Sequence, residues 1–296
     1  MEKMSSIGFS VLAFARPDGL LACIQSIKRY APGIPIVVSI DRFLGDDENL
    51  SVKNLETIEV ASRLLERGEI VEFFVSDFNL KTKAAWFWAM KNSFNHFDYS
   101  IYFEDDLRLV SQPISFLEGY LSTATSSDKA SIATLYSSRI HAKDNGTKDF
   151  TSWPELWGVV MSEHLLLDFE NFCTIAQSRD SIQGRITDWA DSNLSPLGRA
   201  FKPKFQRFWT WKFHKAFLSD TAWDTLLHYF IWYREILVMI PKGELIRDTG
   251  VDVTSVSKLK IAQKVKGCVN PFPFLLFKQK NCWICKLRKE LLTILA

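Results

Sequence analysis

The stretch "IGFSVLAFARPDGLLACIQSIKRYAPGIPIVVSIDRF", residues 7–43, is the part of this chain that most restricts its fold. Ile7–Ala15 is apolar and rich in strand formers, and Arg16-Pro17-Asp18-Gly19 interrupts it. Leu20, Leu21, Ile24 and Ile27 then recur at helical spacing until Pro32-Gly33 stops the run. Ile36–Ile40 reads as a short buried strand. Two strands joined by a helix of this length must lie parallel, with a right-handed crossover, because a tight hairpin cannot connect parallel strands.

The pattern continues. A second helix is expected over about 51–67, a strand over Ile70–Val75, a third helix over about 82–97, and a strand over Tyr99–Phe103. The first hundred residues therefore read as an open α/β sheet. In such sheets ligands sit beyond the carboxyl ends of the strands. Asp41 and the run Glu104-Asp105-Asp106 stand at two such ends. After about residue 110 the pattern is mixed, with a Trp-rich region over 153–232 and no internal repeat.

The 296 residues, 47% hydrophobic, suffice for a sizeable core in one large or two small domains. Net charge is +2, but the segment from Lys258 onward carries +8, leaving −6 elsewhere. An acidic body lacks the continuous positive groove that tracks a nucleic-acid backbone, so no nucleic-acid partner is expected. Five scattered cysteines fit reduced thiols and an intracellular, cytoplasmic location. No segment offers the roughly 18 uncharged apolar residues of a membrane span.

Three adjacent carboxylates repel one another, and the end of a buried strand has no structural need for them. Such a cluster suits either a solvated turn after the strand or a hard divalent cation, Mg²⁺ or Mn²⁺, which takes one or two protein oxygens when a substrate diphosphate supplies the rest. The buried strand and the second acid at Asp41 favour the cation. The phosphate loops G-x-x-x-x-G-K-[ST] and G-x-G-x-x-G are both absent, as are zinc-hydrolase histidine spacings and G-x-S-x-G. A bound nucleotide would be held by strand-end side chains and a metal rather than by a glycine cradle.

Further along, "SDTAWDTLLHYFIW" (219–232) places Trp223, Leu226, Leu227, Phe230 and Ile231 on one helical stripe. Two readings of Asp224 stay open there. Thr221 with Asp224 fits a capping box, and a carboxylate fixed at a helix start also suits a general base. Trp153 and Trp157 offer indole faces that stack on sugars or pack in a core. Arg247 opens a Ser/Thr-rich stretch and can meet phosphate charge. The lone pair Cys282 and Cys285 reads as inert, and the basic, aromatic tail around it as a membrane-surface segment, a partner-docking segment or a solvated helix.

Taken in order, these pieces resemble GT-A-fold glycosyltransferases, and among them the inverting N-acetylglucosaminyltransferase I type with its bacterial hemolysin-like sugar transferase relatives. The blocks are "VLAFARP", "IVVSID", "NLKTKAAWFWAM", "IYFEDDL", "PELWGVVMSEHL" and "WDTLLHYF" followed by "PKGELIRDTGVDVTS". The resemblance spans about 7–257. It implies a GT-A domain over 1–257, with a nucleotide-binding half over 1–110 and an acceptor-binding half over 111–257, and a tail over 258–296. It further implies Asp106 as ligand of Mn²⁺ or Mg²⁺, Asp105 near the ribose and Glu104 near the donor sugar. Arg16 and Asp41 would line the base pocket, with Lys81 and Arg247 also on the donor side. Asp224 matches the catalytic base, and Trp153 and Trp157 fall in the acceptor region. The family's glycine-rich turn is reduced here to Gly158, and 180–215 has no counterpart in it.

The expected activity is thus metal-dependent inverting transfer of a hexosyl or N-acetylhexosaminyl group. The donor expected is a nucleotide-diphosphate sugar, UDP-linked, and the acceptor a glycan or lipid-linked glycan in surface polysaccharide synthesis. Peripheral contact with the inner face of the plasma membrane is expected through the tail. A sugar nucleotidyltransferase would need a Gly-rich basic loop after the first strand, where "FARPDG" is sparse. A non-catalytic glycan- or nucleotide-binding module would bind without turnover.

Overall fold

Strand β1 (Ile7–Ala13) alternates between two apolar layers, and this alternation organises the molecule. Phe9, Val11 and Ala13 join one buried cluster, while Leu12 joins the other. Ser10, between them, donates its hydroxyl to the Ala89 carbonyl at 3.0 Å. A strand covered on both faces is what a near-continuous apolar run encodes. The computed structural model describes residues 6–124, 132–136, 150–151, 154–175, 184, 187, 202–220 and 222–249. Trp153, Thr221, 250–257 and the tail over 258–296 with Cys282 and Cys285 lie outside them.

Helix α1 (Pro17–Tyr30) begins on Pro17 itself, so Arg16-Pro17-Asp18-Gly19 is a helix start rather than an intervening loop. Proline suits the first helical position because its missing N–H would have no partner there, and Asp18 and Lys28-Arg29 complement the helix dipole at either end. Strand β2 (Ile36–Ile40) is fully buried. Helix α2 (Glu48–Glu66) is capped by Asp47, whose carboxylate accepts the Leu50 N–H at 3.0 Å. Strand β3 (Glu72–Val75) is a half-buried edge, helix α3 (Lys81–Phe94) follows, and β4 (Tyr99–Glu104) returns to the centre.

The second part comprises β5 (Leu107–Leu109), α4 (Ile114–Ala124), β6 (Ala133–Thr134), β7 (Phe150–Thr151), β8 (Val159–Ser162) and α5 (Glu163–Ile175). Helices α6 (Lys202–Phe217) and α7 (Trp223–Tyr233) and strands β9 (Val238–Met239) and β10 (Ile246–Asp248) complete it. The main sheet runs β3-β2-β1-β4-β8-β6-β9-β7, and β5 pairs with β10 in a separate ladder. The first four strands are mutually parallel, and β8 pairs antiparallel to β4. This is the mixed, mostly parallel sheet flanked by helices that the sequence pattern leads one to expect.

Helices α1 and α2 cover one face through Leu20, Ile24, Ile27, Ala61 and Leu64. Helices α3, α5, α6 and α7 cover the other with an aromatic layer of Trp86, Phe169, Phe213, Phe230 and Trp232. Trp86 lies flat on Trp223, their centroids 4.8 Å apart and planes 11° off parallel, which docks the start of α7 against α3. Among the described residues no helix is long and apolar enough to cross a membrane.

Gly158, just before β8, is packed between Leu135 and Ile246. Its φ is +64°, and a Cβ there would lie 2.9 Å from Leu135 Cβ and 3.0 Å from Ile246 Cδ1. Gly158→Ala is expected to destabilise the fold by roughly 1–3 kcal/mol through left-handed backbone strain and overpacking. A lowered urea midpoint with an unchanged slope is the expected readout.

Candidate active site at the carboxyl ends of the strands

From β1 the chain lays down β2 and β3 on one side, then crosses to place β4 on the other. The strand order therefore reverses between β1 and β4, and the crevice outside the carboxyl ends at such a switch point is the usual place for a ligand in an open α/β sheet. Phe14, Ala15 and Arg16 leave β1 at that point, and Glu104-Asp105-Asp106 leave β4.

The two exits are tied together. Asp105, only 4% exposed, accepts the Phe14 N–H at 3.3 Å through Oδ2, and its own N–H donates to the Leu12 carbonyl at 3.1 Å. Arg16 Nη1 lies 2.7 Å from Asp105 Oδ1 and 3.0 Å from Asp106 Oδ2, so one guanidinium bridges two adjacent carboxylates. Glu104 turns away toward the aromatic layer, where Tyr102 donates its hydroxyl to Oε1 at 3.1 Å. Close packing of α1 against this turn explains Gly19, whose added Cβ would stand 3.0 Å from the Asp105 carbonyl oxygen.

Burial, then repulsion from Asp106, pushes the Glu104 carboxyl up to about 7. Burial likewise pushes Asp105 up to about 6, against the opposing attraction of Arg16. Both groups thus bind protons in the folded chain that the unfolded chain has released. Their contribution to stability falls as pH rises from the ordinary carboxylate range to about 7, then levels off. Without divalent cations, Glu104→Gln is expected to raise the melting temperature at pH 8, where wild type must hold a carboxylate, and to change it little at pH 5. Equal shifts at both pH values would contradict this assignment.

The Asp106 backbone is fixed from the far part of the chain. Its carbonyl accepts both the Thr249 N–H and the Thr249 hydroxyl, each at 2.9 Å, just past the β5–β10 ladder. In that ladder Arg247 stands directly opposite Arg108. Arg108 Nη1 donates to the Asp105 and Leu107 carbonyls, both at 2.8 Å, and Arg247 is exposed with Nε 3.1 Å from Glu244 Oε1. Like charges set opposite on a ladder are unfavourable unless an anion lies between or beside them.

Asp41 ends β2 and is buried. Its Oδ1 accepts the Leu80 N–H at 2.7 Å and lies 3.2 Å from the Ser76 hydroxyl, so this oxygen serves the turn into α3. Burial raises its pKa and these bonds oppose the rise. Lys81, with φ of +60°, directs its ammonium to Asp220 at 2.8 Å rather than to the acidic run. Asp224 is exposed in the first turn of α7, with Oδ1 accepting the Thr225 N–H at 2.7 Å. One of the two readings of Asp224 is corrected here: with Thr221 outside the described residues, Ala222 occupies the N-cap and Asp224 the second helical position, not the third that a capping box needs. Burial of Trp223 against Trp86 and Tyr102 accompanies this helix start, in place of a side-chain cap. Because Tyr102 also holds Glu104, the same aromatic contact carries the start of α7 to the β4 end. Trp157 is 41% exposed, its ring packed edge-on against Tyr136 at 4.7 Å.

Four residues with a part in this geometry were not singled out by sequence pattern. Asn54 donates to the Phe14 and Asp41 carbonyls and accepts the Phe43 N–H at 3.1 Å, stapling the β1 and β2 exits. Arg108 and Thr249 anchor the acidic run. His228 places Nδ1 2.9 Å from the Asp224 carbonyl and Nε2 2.7 Å from the Pro154 carbonyl, linking α7 to the Trp157 segment. Only the i, i+4 spacing of Asp224 and His228 was visible beforehand.

Among the described residues no three His, Cys, Asp or Glu side chains converge as an ion cage. The donor set is instead carboxylate oxygen only, with Asp106 Oδ1 free of hydrogen bonds among the described residues. That fits a hard cation bringing oxygens of its own ligand.

No protein-family model and no curated protein matches the chain. Among solved structures it is similar to the mannosyltransferase PcManGT from Pyrobaculum calidifontis, in complex with GDP-Man and Mn²⁺, at 10% identity over 56% of this chain and 47% of that one, with a TM-score of 0.40. It is also similar to S. aureus TarS, at 13% identity over 55% of this chain and 30% of that one, with a TM-score of 0.35. The chain spans about half or less of those structures. Overlaps this partial carry no argument about activity, which rests on the chain's own residues.

Proposed function

We propose that this chain is a GT-A-type glycosyltransferase, moving a sugar from a nucleotide-diphosphate donor to an acceptor hydroxyl with inversion. The observation that carries the reading is the acidic run at the β1/β4 switch point, two of whose carboxylates are bridged by Arg16. A guanidinium held between carboxylates marks a place of strong negative potential, open at Asp106. Arg108 and Arg247 supply positive charge close by. Cation-binding oxygens beside paired arginines suit a metal-diphosphate better than either a bare cation or a bare anion.

In this reading Asp106 would hold Mn²⁺ or Mg²⁺, which would offset negative charge on the departing diphosphate. Asp105 and Arg16 set the ribose and base side, Glu104 borders the donor sugar only through the carboxylate oxygen that Tyr102 leaves unbonded, and Arg108 and Arg247 approach the diphosphate. Asp41 and Asn54 hold the base-side loops in shape, and Asp41 accepts from a uracil-like imide. Lys81 acts through Asp220, fixing the segment before α7. Asp224 takes the proton of the acceptor hydroxyl as its oxygen attacks the sugar carbon. One base and one displacement give inversion. Trp157, with Trp153, offers the acceptor an apolar face, and a glycan or lipid-linked glycan is the class that uses it. The nucleotide half is 1–110 and the acceptor half 111–257, and the setting is the cytoplasmic side of a surface-glycan pathway.

The test is a thermal-shift screen of nucleotide sugars with and without Mn²⁺. A ligand at a hundred times its Kd stabilises by about 2.7 kcal/mol, several degrees for a chain of this size. A shift for UDP-sugars that requires Mn²⁺ is expected. Shifts with no nucleotide sugar, or equal shifts without metal, would overturn the reading.

A further inference from the structure

Helix α6, "KPKFQRFWTWKFHKAF", contains five Lys or Arg and no Asp or Glu. One of its faces is built into the aromatic layer: Trp209, Phe213 and Ala216 are buried, with Trp209 and Phe213 packed on Trp232. The opposite face is not polar, as the outer face of a soluble helix usually is. Phe208 is 40% exposed, Trp211 58%, and Leu218, one residue past the helix, 77%. Arg207 and Lys215 are exposed among them. Positions 208, 211, 215 and 218 are three or four apart, so they form a single stripe about 15 Å long. Phe208 and Trp211 lie 6.3 Å apart, and the Lys215 ammonium sits 5.2 Å from the Trp211 ring centroid.

We propose that this stripe is a docking surface for an anionic lipid bilayer. Indole and phenyl rings settle at the boundary between headgroups and acyl chains, while Arg207 and Lys215 beside them reach anionic headgroups. The charge is uncompensated on the helix itself. Among the described residues, Asp220 is taken by Lys81 and Asp224 acts electrostatically on Lys212 rather than on the stripe. Bases of a single-stranded nucleic acid also stack on aromatic rings, but Leu218, the most exposed member, has no stacking role there, whereas a bilayer takes all three apolar groups alike. The inference is independent of the proposed transfer reaction, because none of the stripe residues belongs to the candidate active site.

The experiment is flotation of the full chain with phosphatidylcholine vesicles, with and without phosphatidylglycerol. Wild type is expected to float only with the anionic vesicles. Phe208→Ser/Trp211→Ser and, separately, Lys215→Glu are expected to lower partitioning about tenfold each, with the basic tail intact. Lys215→Glu alters one exposed charge and keeps the test valid if the double variant folds poorly by near-ultraviolet circular dichroism. Any of three results would overturn the proposal: wild type that ignores the anionic lipid; Lys215→Glu and a folded double variant that float like wild type, which assigns attachment to another surface; or a single-stranded oligonucleotide that displaces the protein from vesicles by binding the same stripe.

Discussion

Asp106→Ala is expected to abolish Mn²⁺- or Mg²⁺-dependent binding of UDP and UDP-sugars, weakening it by about 100-fold or more. That is roughly 2.7 kcal/mol or more of lost binding free energy. The argument is local. Asp105 has both oxygens spent, on Arg16 and on the Phe14 N–H, and Glu104 has one oxygen held by the Tyr102 hydroxyl. Among the described residues Asp106 keeps Oδ1 free of hydrogen bonds, on a backbone pinned by Thr249 and outside the aromatic layer that Glu104 turns toward. Removing it leaves Arg16 paired with Asp105, so the crevice keeps its shape while losing its accessible carboxylate. Calorimetry with UDP, with and without Mn²⁺, separates the outcomes. Affinity that still responds to metal as in wild type would move the cation elsewhere. Affinity that never responded to metal in wild type would remove the cation from the mechanism altogether.

The contrast among these acids shows what sequence can and cannot disclose. The βαβ start, the buried central strands and the position of the acidic run at a strand end were legible, because period and strand-end placement are local properties of the chain. Division of labour within the run was not. It depends on Arg16, Tyr102 and Thr249, and Thr249 arrives from 143 residues away. Asp41 and Lys81 show the same limit from the other side. Both looked free to meet a donor, yet one is half consumed by the turn into α3 and the other is paired with Asp220. The β5–β10 ladder, which sets Arg108 against Arg247, joins strands of three residues each. Strands that short carry no readable alternation, and their pairing exists only after the domain has closed. The start of α7 failed differently: a local capping signal was overridden by the aromatic packing of Trp223.

That override sharpens the expectation for Asp224. A capping residue would be spent on helix donors, and its loss would cost stability, typically ~1 kcal/mol. Here the N-cap is Ala222, and among the described residues the Asp224 carboxylate bonds only the adjacent Thr225 N–H while its side chain stays exposed. Its position is nevertheless well held. Trp223 is clamped between Trp86 and Tyr102, and His228 grips the Asp224 carbonyl from one turn further on. A carboxylate that is held by its backbone yet largely unspent is suited to receive a proton from a hydroxyl. Asp224→Asn preserves shape and the acceptor oxygen for Thr225, and removes only the ability to take that proton. It is therefore expected to leave UDP affinity and melting temperature near wild type and to lower kcat roughly 10²–10⁴-fold. A loss of that size should appear equally in kcat and kcat/KM, the signature of an interaction made in the transition state. Should the variant turn over normally but melt several degrees lower, Asp224 would be a structural residue of α7, and the base would have to be sought elsewhere on the crevice.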